Sequence, residues 1–221
     1  MTAPLESIEI ETGPAPTAAV LWLHGLGADG NDFVPVVEAL DLPERPIRFV
    51  FPHAPMRPVT INQGYVMRAW YDVLSMDFER RADERGVRES QGLVEALIER
   101  ETRRGVAARG IVLAGFSQGG AIALQTGLRH AARLAGIMAL SCYLPLAGTL
   151  DAERAPANRD VPVFMAHGAH DPVVPVRLAR ESRDRLVRLG YDVAWHEYPM
   201  EHSVSPEEIA AIGAWLRRVL A

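Results

Sequence analysis

The stretch IVLAGFSQGG, residues 111–120, decides the fold of this chain. The apolar run Ile111 to Ala114 predicts a buried strand, and Ala121 to His130 predicts a helix soon after it. Between them lies the pattern Gly115-Phe116-Ser117-Gln118-Gly119, whose small flanking residues let a sharp strand-to-helix turn pack. Such a turn exposes the serine hydroxyl, which makes Ser117 the candidate nucleophile. The alternative is an ordinary glycine turn, and the strand and helix around the pattern disfavour it.

Short apolar runs recur along the chain and alternate with helical patterns. These runs are nearly continuous in apolar character, which is typical of strands buried on both faces of a parallel sheet, whereas Leu5 to Glu11 alternates like an edge strand. We therefore predict an α/β fold, with a single domain over residues 1–221 and a mostly parallel, doubly wound sheet with helices on both faces. The other predicted strands are Val20 to Leu23, Ile47 to Phe51, Leu134 to Leu140, Val161 to Ala166 and Val193 to Tyr198. The other predicted helices are Val87 to Arg104, Val176 to Leu189 and one that starts at a capping box of Ser205 and Glu208.

The composition excludes several classes of protein. The chain has 221 residues, a formal net charge of −5 and a hydrophobic fraction of 48%, so it is neither a disordered chain nor a basic nucleic-acid binder. It lacks an apolar run of membrane-span length and the basic, apolar start of a signal peptide. The lone Cys142 allows no intrachain disulfide. We therefore expect a cytoplasmic protein without stable membrane insertion.

Asp171 is the candidate acid that would orient a catalytic base. It follows the strand Val161 to Ala166, and active sites of such sheets gather at the carboxyl ends of strands, with the acid after the nucleophile in the chain. Asp160 precedes that strand and Asp184 lies in a charged helix, so both are weaker candidates. The alternative role for Asp171 is a turn before Pro172.

His202 is the candidate base, because it lies between the last strand and the last helix, where the chain returns to the strand ends. His196 lies inside a strand, and His170 adjoins the acid in the same loop, so neither is well placed to join Asp171 and Ser117. The remaining histidines are expected to be loop-bonding or surface residues: His24, His53, His167 and His130.

Two main-chain N–H groups are candidates for an oxyanion hole. One belongs to Gln118, the residue after the nucleophile, and the other to Leu26, in the glycine-rich turn after the strand Val20 to Leu23. Fixed N–H donors that meet the developing negative charge are often the largest contribution to acyl transfer. An ordinary glycine turn is the alternative for the segment around Leu26.

Taken together, the segments resemble the phospholipase/carboxylesterase family of α/β-hydrolases, which contains carboxylesterases and acyl-protein thioesterases. The resemblance implies Ser117, Asp171 and His202 as a catalytic triad, with Leu26 and Gln118 as the oxyanion donors. The matching stretches occur in family order: Leu23 to Phe33, Phe51 to Pro55, Met67 to Asp72, Gly115 to Gly120, His167 to Pro175 and Glu201 to Ser203.

The resemblance also implies an acyl pocket, with the segment Ile61 to Phe78 as a loop that covers it. Trp70 and Leu74 would line this pocket, with Val173 across from them. Apolar residues on an exposed loop often mark a binding groove, although they can also cap the core.

The implied activity is that of a serine carboxylesterase, which hydrolyses short- to medium-chain acyl esters through an acyl-enzyme and needs no cofactor or metal. An acyl-protein thioesterase or a lysophospholipase is the alternative among enzymes. A ligand-binding α/β-hydrolase without activity is the alternative outside them, and three occupied triad positions disfavour it. The expected partner is a small ester or thioester substrate, and a homodimer is compatible with the resemblance.

Overall fold

The computed structural model describes residues 5–42, 45–75 and 83–221. The strands are β1 (Ser7–Glu11), β2 (Ala18–Leu23), β3 (Ile47–Pro52), β4 (Met56–Val59), β5 (Tyr65–Arg68), β6 (Ile111–Phe116), β7 (Gly136–Leu140), β8 (Val163–Gly168) and β9 (Val193–Tyr198). The α-helices are α1 (Glu84–Arg103), α2 (Gln118–Gly127), α3 (Leu150–Glu153), α4 (Val176–Arg188) and α5 (Pro206–Val219). A seven-stranded sheet has the strand order β1-β3-β2-β6-β7-β8-β9. Among the described strands of this seven-stranded sheet, only β1 is antiparallel to its neighbour.

The sheet is buried on both faces, and successive residues of each central strand pack into different cores. In β2, Leu21 and Leu23 belong to one apolar cluster, whereas Val20 and Trp22 belong to the other. Side chains of a strand alternate between its two faces, so both faces need apolar residues and the run becomes continuous. The prediction of a mostly parallel, doubly wound sheet is therefore confirmed.

Helices cover both faces of the sheet. Val94 and Leu97 of α1 belong to the first cluster, and Trp215 and Leu216 of α5 belong to the second. The two residues of each pair lie on the same side of their helix. That apolar side packs against the sheet, whereas the opposite side faces solvent. None of the helices in residues 5–42, 45–75 and 83–221 is long and apolar enough to span a bilayer.

The N-terminus of α5 keeps only half of the predicted capping box. The Ser205 side chain accepts a hydrogen bond from the Glu208 N–H (3.2 Å), and Pro206 occupies the first turn. The Glu208 carboxyl group is buried, and neither of its oxygens makes a hydrogen bond of good geometry in the described structure, although the Ser205 main chain lies close enough to favour its charged form. Burial disfavours the charged form and raises the pKa of Glu208 to about 8, and this effect outweighs the opposite effect of the Ser205 main chain.

The segment Ile61 to Phe78 is not the plain loop that the sequence analysis expected. Its residues 65–68 form β5, which pairs antiparallel with β4 in a separate hairpin. The Ile61 N–H donates to the Val73 carbonyl (2.9 Å) and so closes the base of this segment. Residues 76–78 of the expected cover lie outside the described residues.

Candidate active site

Ser117 is the single residue between β6 and α2, and its backbone lies at φ 53° and ψ −119°. Its N–H donates to the Leu140 carbonyl at the end of β7 (2.8 Å), and its own carbonyl accepts from the Ala121 N–H (3.1 Å). A non-glycine residue at positive φ is strained and persists only where its surroundings hold it. The strained turn places Ser117 in the wall of a cavity at the carboxyl edge of the sheet.

Two glycines allow this turn to close. A Cβ on Gly119 would lie 2.3 Å from the Leu23 carbonyl oxygen, and a Cβ on Gly115 would lie 2.3 Å from the Gly119 carbonyl carbon. These neighbours are backbone atoms, so no side chain can move to relieve the contact. The glycines of the G-x-S-x-G pattern therefore permit close packing of α2 against β2, as well as the turn itself.

Asp171 combines the two roles that the sequence left open. Its Oδ1 accepts hydrogen bonds from the N–H groups of Val173 (2.8 Å) and Val174 (2.9 Å), which form the turn. Its Oδ2 lies 2.6 Å from Nδ1 of His202. The carboxyl group is thus held by the main chain through one oxygen and holds the imidazole through the other.

His202 lies in the connection between β9 and α5, next to the nucleophile turn. Its ring packs against the ring of Phe116, with 4.7 Å between centroids, and Phe116 directly precedes Ser117. The connection packs closely on β8, because a Cβ on Gly168 would lie 2.2 Å from the Glu201 carbonyl oxygen. The structure therefore brings the three triad candidates together at one edge of the sheet.

The rival residues lie elsewhere. The His196 ring stacks on Phe164 within the sheet, with centroids 5.0 Å apart. His170 is exposed, and the Asp184 carboxylate pairs with its neighbour Arg183 on α4. Asp160 is also a surface residue, with 84% of its side chain exposed.

His167 is a neighbour of the triad that the sequence analysis treated only as structural. Its Nε2 lies 2.8 Å from the Val174 carbonyl oxygen and 3.3 Å from Oδ2 of Asp171. Burial lowers the pKa of this imidazole, so the neutral ring donates its Nε2–H to the loop. A histidine four residues before the acid, at the end of a buried strand, is the signal that indicates this contact.

The histidines before and after the first glycine-rich turn are structural, as expected. His24 donates from Nδ1 to the Gly25 carbonyl (2.7 Å) and accepts at Nε2 from the Ala54 N–H (3.0 Å), and burial lowers its pKa. His53 accepts at Nδ1 from the Gly30 N–H (3.0 Å). His130 differs from expectation, because it is buried and lies 2.6 Å from a Glu95 carboxylate oxygen.

The two candidate oxyanion donors lie on the same cavity. Gln118 is the first residue of α2, and both Gln118 and Leu26 contribute to the cavity wall with Ser117. Gly27, at φ 76°, donates to the Arg68 carbonyl (2.9 Å) and fixes the turn beside Leu26. Within the described residues, neither the Leu26 nor the Gln118 N–H has a main-chain acceptor.

The cavity has a volume of about 380 Å³, and most of its wall is apolar. Val173 lines it and is 44% exposed, in agreement with the expected pocket residue. Besides the reactive residues, the wall contains Ile61, Val73, Tyr71, Tyr143, Val173 and Val174.

Trp70 and Leu74 differ from the expected pocket, because neither belongs to this wall. Trp70 is completely buried, and its indole N–H donates to the His24 carbonyl (2.9 Å). Both Trp70 and Tyr71 belong to the same apolar core cluster, but only Tyr71 also contributes to the cavity wall. Leu74 is 37% exposed and lies beyond the cavity wall.

The side chain of Gln118 has a second role that sequence reasoning missed. Its Oε1 accepts from the Trp70 N–H and its Nε2 donates to the Tyr71 carbonyl, each at 2.7 Å. The candidate oxyanion donor Gln118 therefore also ties the pocket wall to α2. A buried glutamine directly after a nucleophile is the available signal, because its amide must find partners.

This geometry places the candidate nucleophile, a candidate base held by a carboxylate and the two candidate N–H donors around an apolar cavity. No group of three or more His, Cys, Asp or Glu side chains in the described part of the chain is arranged to hold a metal ion. The arrangement suits acyl transfer, in which a serine attacks a carbonyl and fixed N–H groups bind the oxyanion.

Comparisons with known proteins identify the family of this chain. A family model described as phospholipase/carboxylesterase matches residues 5–220. The chain is 40% identical over 214 residues to acyl-protein thioesterase 1 of Gibberella zeae, covering 92% of this chain and 91% of that protein. It is 42% identical over 211 residues to acyl-protein thioesterase 1 of Neurospora crassa, covering 90% and 86%. The crystal structure of Zea mays acyl-protein thioesterase 2 matches with a TM-score of 0.87 at 28% identity, covering 98% of this chain and 99% of that one. The chain therefore belongs to the phospholipase/carboxylesterase family of α/β-hydrolases and is a serine hydrolase.

Proposed function

We propose that this chain hydrolyses acyl esters and thioesters through an acyl-enzyme on Ser117, with His202 as base and Asp171 as orienting acid. The observation that carries the proposal is the strained Ser117 turn, which opens on an apolar cavity beside the hydrogen-bonded His202–Asp171 pair. A serine hydroxyl becomes a useful nucleophile when it is exposed next to such a base.

The proposed mechanism has two halves. His202 takes the proton of Ser117 as its hydroxyl attacks the acyl carbonyl, and the Leu26 and Gln118 N–H groups bind the oxyanion. The alcohol or thiol leaves with a proton from His202. Water then gives a proton to His202 and attacks the acyl-enzyme, which releases the acid and restores Ser117. Asp171 keeps the imidazole in the Nδ1–H tautomer throughout, because its Oδ2 accepts that hydrogen.

Carboxylesterase and thioesterase activity share this machinery and differ in the leaving group. The names of the relatives favour an acyl thioester on a protein, and the small apolar cavity suits a short- to medium-chain acyl group of either kind. Thioester hydrolysis is therefore part of the proposal rather than a distant alternative. Lysophospholipid hydrolysis remains a candidate that the same substrate panel tests.

The test compares the wild type with Ser117→Ala on p-nitrophenyl esters from acetyl to hexadecanoyl, on matching acyl-CoA thioesters, on an S-acylated peptide and on a lysophospholipid. Removal of the nucleophile is expected to lower kcat/KM by about 10⁴-fold or more. A fluorophosphonate should label Ser117 in the wild type and leave the variant unlabelled.

A wild type that turns over no ester or thioester and resists the fluorophosphonate would contradict the proposal. The non-catalytic, ligand-binding reading would then take its place. A wild type that turns over thioesters much faster than esters of equal chain length would identify the thioesterase.

We further propose that the protein acts in the cytoplasm, where a homodimer is one assembly to test. An acidic chain with one cysteine, which is buried, supports a reducing compartment. Cell fractionation tests the compartment, and sedimentation equilibrium tests the dimer, with a single species of about 24.2 kDa as the contrary result.

A further inference from the structure

We infer that the hydrogen-bonded pair Tyr71 and Tyr143 closes the inner end of the substrate cavity and limits the acyl group to short or medium chains. The inference rests on the proposed hydrolysis at Ser117 and adds the residues that select its substrate. The two hydroxyl oxygens lie 3.1 Å apart, and both side chains line the cavity that contains Ser117.

The exposure of the cavity wall indicates where the cavity ends. Asn62 is exposed and Val173 is 44% exposed, so both stand at the rim, whereas Tyr71 is only 5% exposed. Tyr71 also belongs to the apolar core cluster, together with Cys142. Its ring therefore lies between the cavity and the core, and the partly buried Tyr143 meets its hydroxyl there.

The backbone that carries the pair is held on both sides. Next to Tyr71, the Gln118 side chain binds the Tyr71 carbonyl at 2.7 Å. Next to Tyr143, the Leu144 N–H donates to Ser182 Oγ of α4 (2.9 Å), and the Ser141 N–H donates to the Ala166 carbonyl of β8 (2.8 Å). Because both rings stand on backbone tied to a helix or to the sheet, a long acyl chain cannot easily push them apart.

The chemistry of the pair opposes a long saturated chain as well. A methyl terminus pressed between the hydroxyls of Tyr71 and Tyr143 would separate them and offer neither one a hydrogen bond, which is unfavourable in a buried site. A chain that ends before the pair leaves their hydrogen bond intact. The volume of about 380 Å³ also lies near the lower end of the range of about 300–1,000 Å³ for small-molecule sites.

Tyr143→Ala tests the inference, with Tyr143→Phe as the matched variant that keeps the ring and loses only the hydroxyl. The readout is the ratio of kcat/KM for dodecanoyl and butanoyl p-nitrophenyl esters, measured below the concentrations at which the esters form micelles. A general loss of catalytic power cancels in this ratio. We expect Tyr143→Ala to raise the ratio by about tenfold or more, since a single methylene in an apolar pocket is worth roughly that factor. Tyr143→Phe should raise it much less.

Fluorophosphonate labelling of Ser117 in each variant checks that the site is intact. If Tyr143→Ala is not labelled, the same ratio of kcat/KM values is measured on Tyr143→Leu instead. Leucine keeps an apolar side chain that is shorter than that of tyrosine. A labelled small variant that keeps the wild-type ratio overturns the inference and leaves the proposed function standing, as does a wild type that prefers the longest esters. A wild type without any hydrolysis or labelling overturns both.

Discussion

Two connections from a strand to a helix carry the proposed nucleophile and the proposed base, and they are built in opposite ways. The β6–α2 connection consists of Ser117 alone, at positive φ, with glycines packed against neighbouring backbone. The β9–α5 connection runs over residues 199–205, and most of its side chains are partly or fully exposed. In this second connection His202 is placed by the Asp171 carboxylate and the Phe116 ring.

The difference indicates that backbone sterics place the proposed nucleophile Ser117, whereas side-chain contacts place the proposed base His202. A turn of one residue has no conformational freedom, so a substitution in it should disturb the packing of the whole sheet. A longer connection has conformational freedom, so a substitution that removes one of its contacts should lower the activity more than the stability of the fold. The following predictions test that contrast, from the largest expected effect to the smallest.

Asp171→Asn should abolish most activity without unfolding the protein. The Val173 and Val174 N–H groups would retain an amide oxygen at the Oδ1 position, which turns the amide NH₂ toward Nδ1 of His202. The imidazole then carries its hydrogen on Nε2 and cannot accept the Ser117 proton, so kcat should fall by about 10⁴-fold. Ester hydrolysis and thermal unfolding measure the two effects. Asp184→Asn, on the surface of α4, is the matched control, and an equal loss in it would contradict the contact-based placement.

Gly119→Ala should destabilise the fold, because the new Cβ would meet the Leu23 carbonyl oxygen at 2.3 Å. We expect the free energy of unfolding in urea to fall by about 3 kcal/mol, the upper range for overpacking. Gly92→Ala is the matched control, since Gly92 lies inside α1 with no atom within 4 Å of the added Cβ. It should stabilise the protein by roughly 0.5–1 kcal/mol. Equal stability of the two variants would show that the turn is not sterically fixed.

Glu208→Gln should remove a loss of stability at alkaline pH. Burial raises the pKa of Glu208 from 4.5 to about 8. Between these two pH values, the folded state therefore keeps a proton that the unfolded chain has lost. The free energy of unfolding of the wild type should therefore fall as the pH rises from about 4.5 to 8 and should level off above pH 8. The total fall is a few kcal/mol, because each unit of pKa shift is worth about 1.4 kcal/mol.

Urea unfolding at pH 5, 7 and 9 measures this loss. The profile of Glu208→Gln should be flatter over that interval. Glu207→Gln changes the exposed neighbour and should keep the alkaline loss. A variant at Glu208 with the wild-type slope would contradict the assigned pKa.

Ser205→Ala should have the smallest effect. It removes the side-chain oxygen that accepts from the Glu208 N–H at the start of α5, which costs about 1 kcal/mol of unfolding free energy. Because Asp171 and Phe116 hold His202 independently, kcat/KM for a short ester should change little. A loss of activity much larger than the loss of stability would show that the α5 cap, rather than those contacts, places the base.

The sequence predicted the sheet because its strands are apolar on both faces, and such runs are visible without a structure. It also predicted the bounds of α4 and the start of α5 closely, since charge, periodicity and the Ser205 cap are local signals. The triad candidates followed from chain order and from their positions after strands. Each of these properties depends on neighbours in the chain, so residues near in sequence are enough to reveal them.

The direction of side chains around the cavity was decided only by the tertiary structure. Tyr71 lines the cavity and Trp70 does not, in a short segment that is held by the side chain of Gln118, which lies 48 residues from Trp70 in sequence. The Tyr71–Tyr143 hydrogen bond and the buried Glu208 carboxyl likewise result from packing between distant elements. The sequence by itself determines which residues are apolar and where the chain turns. Which buried polar groups meet depends on three-dimensional packing, because hydrogen bonds act only at contact distance.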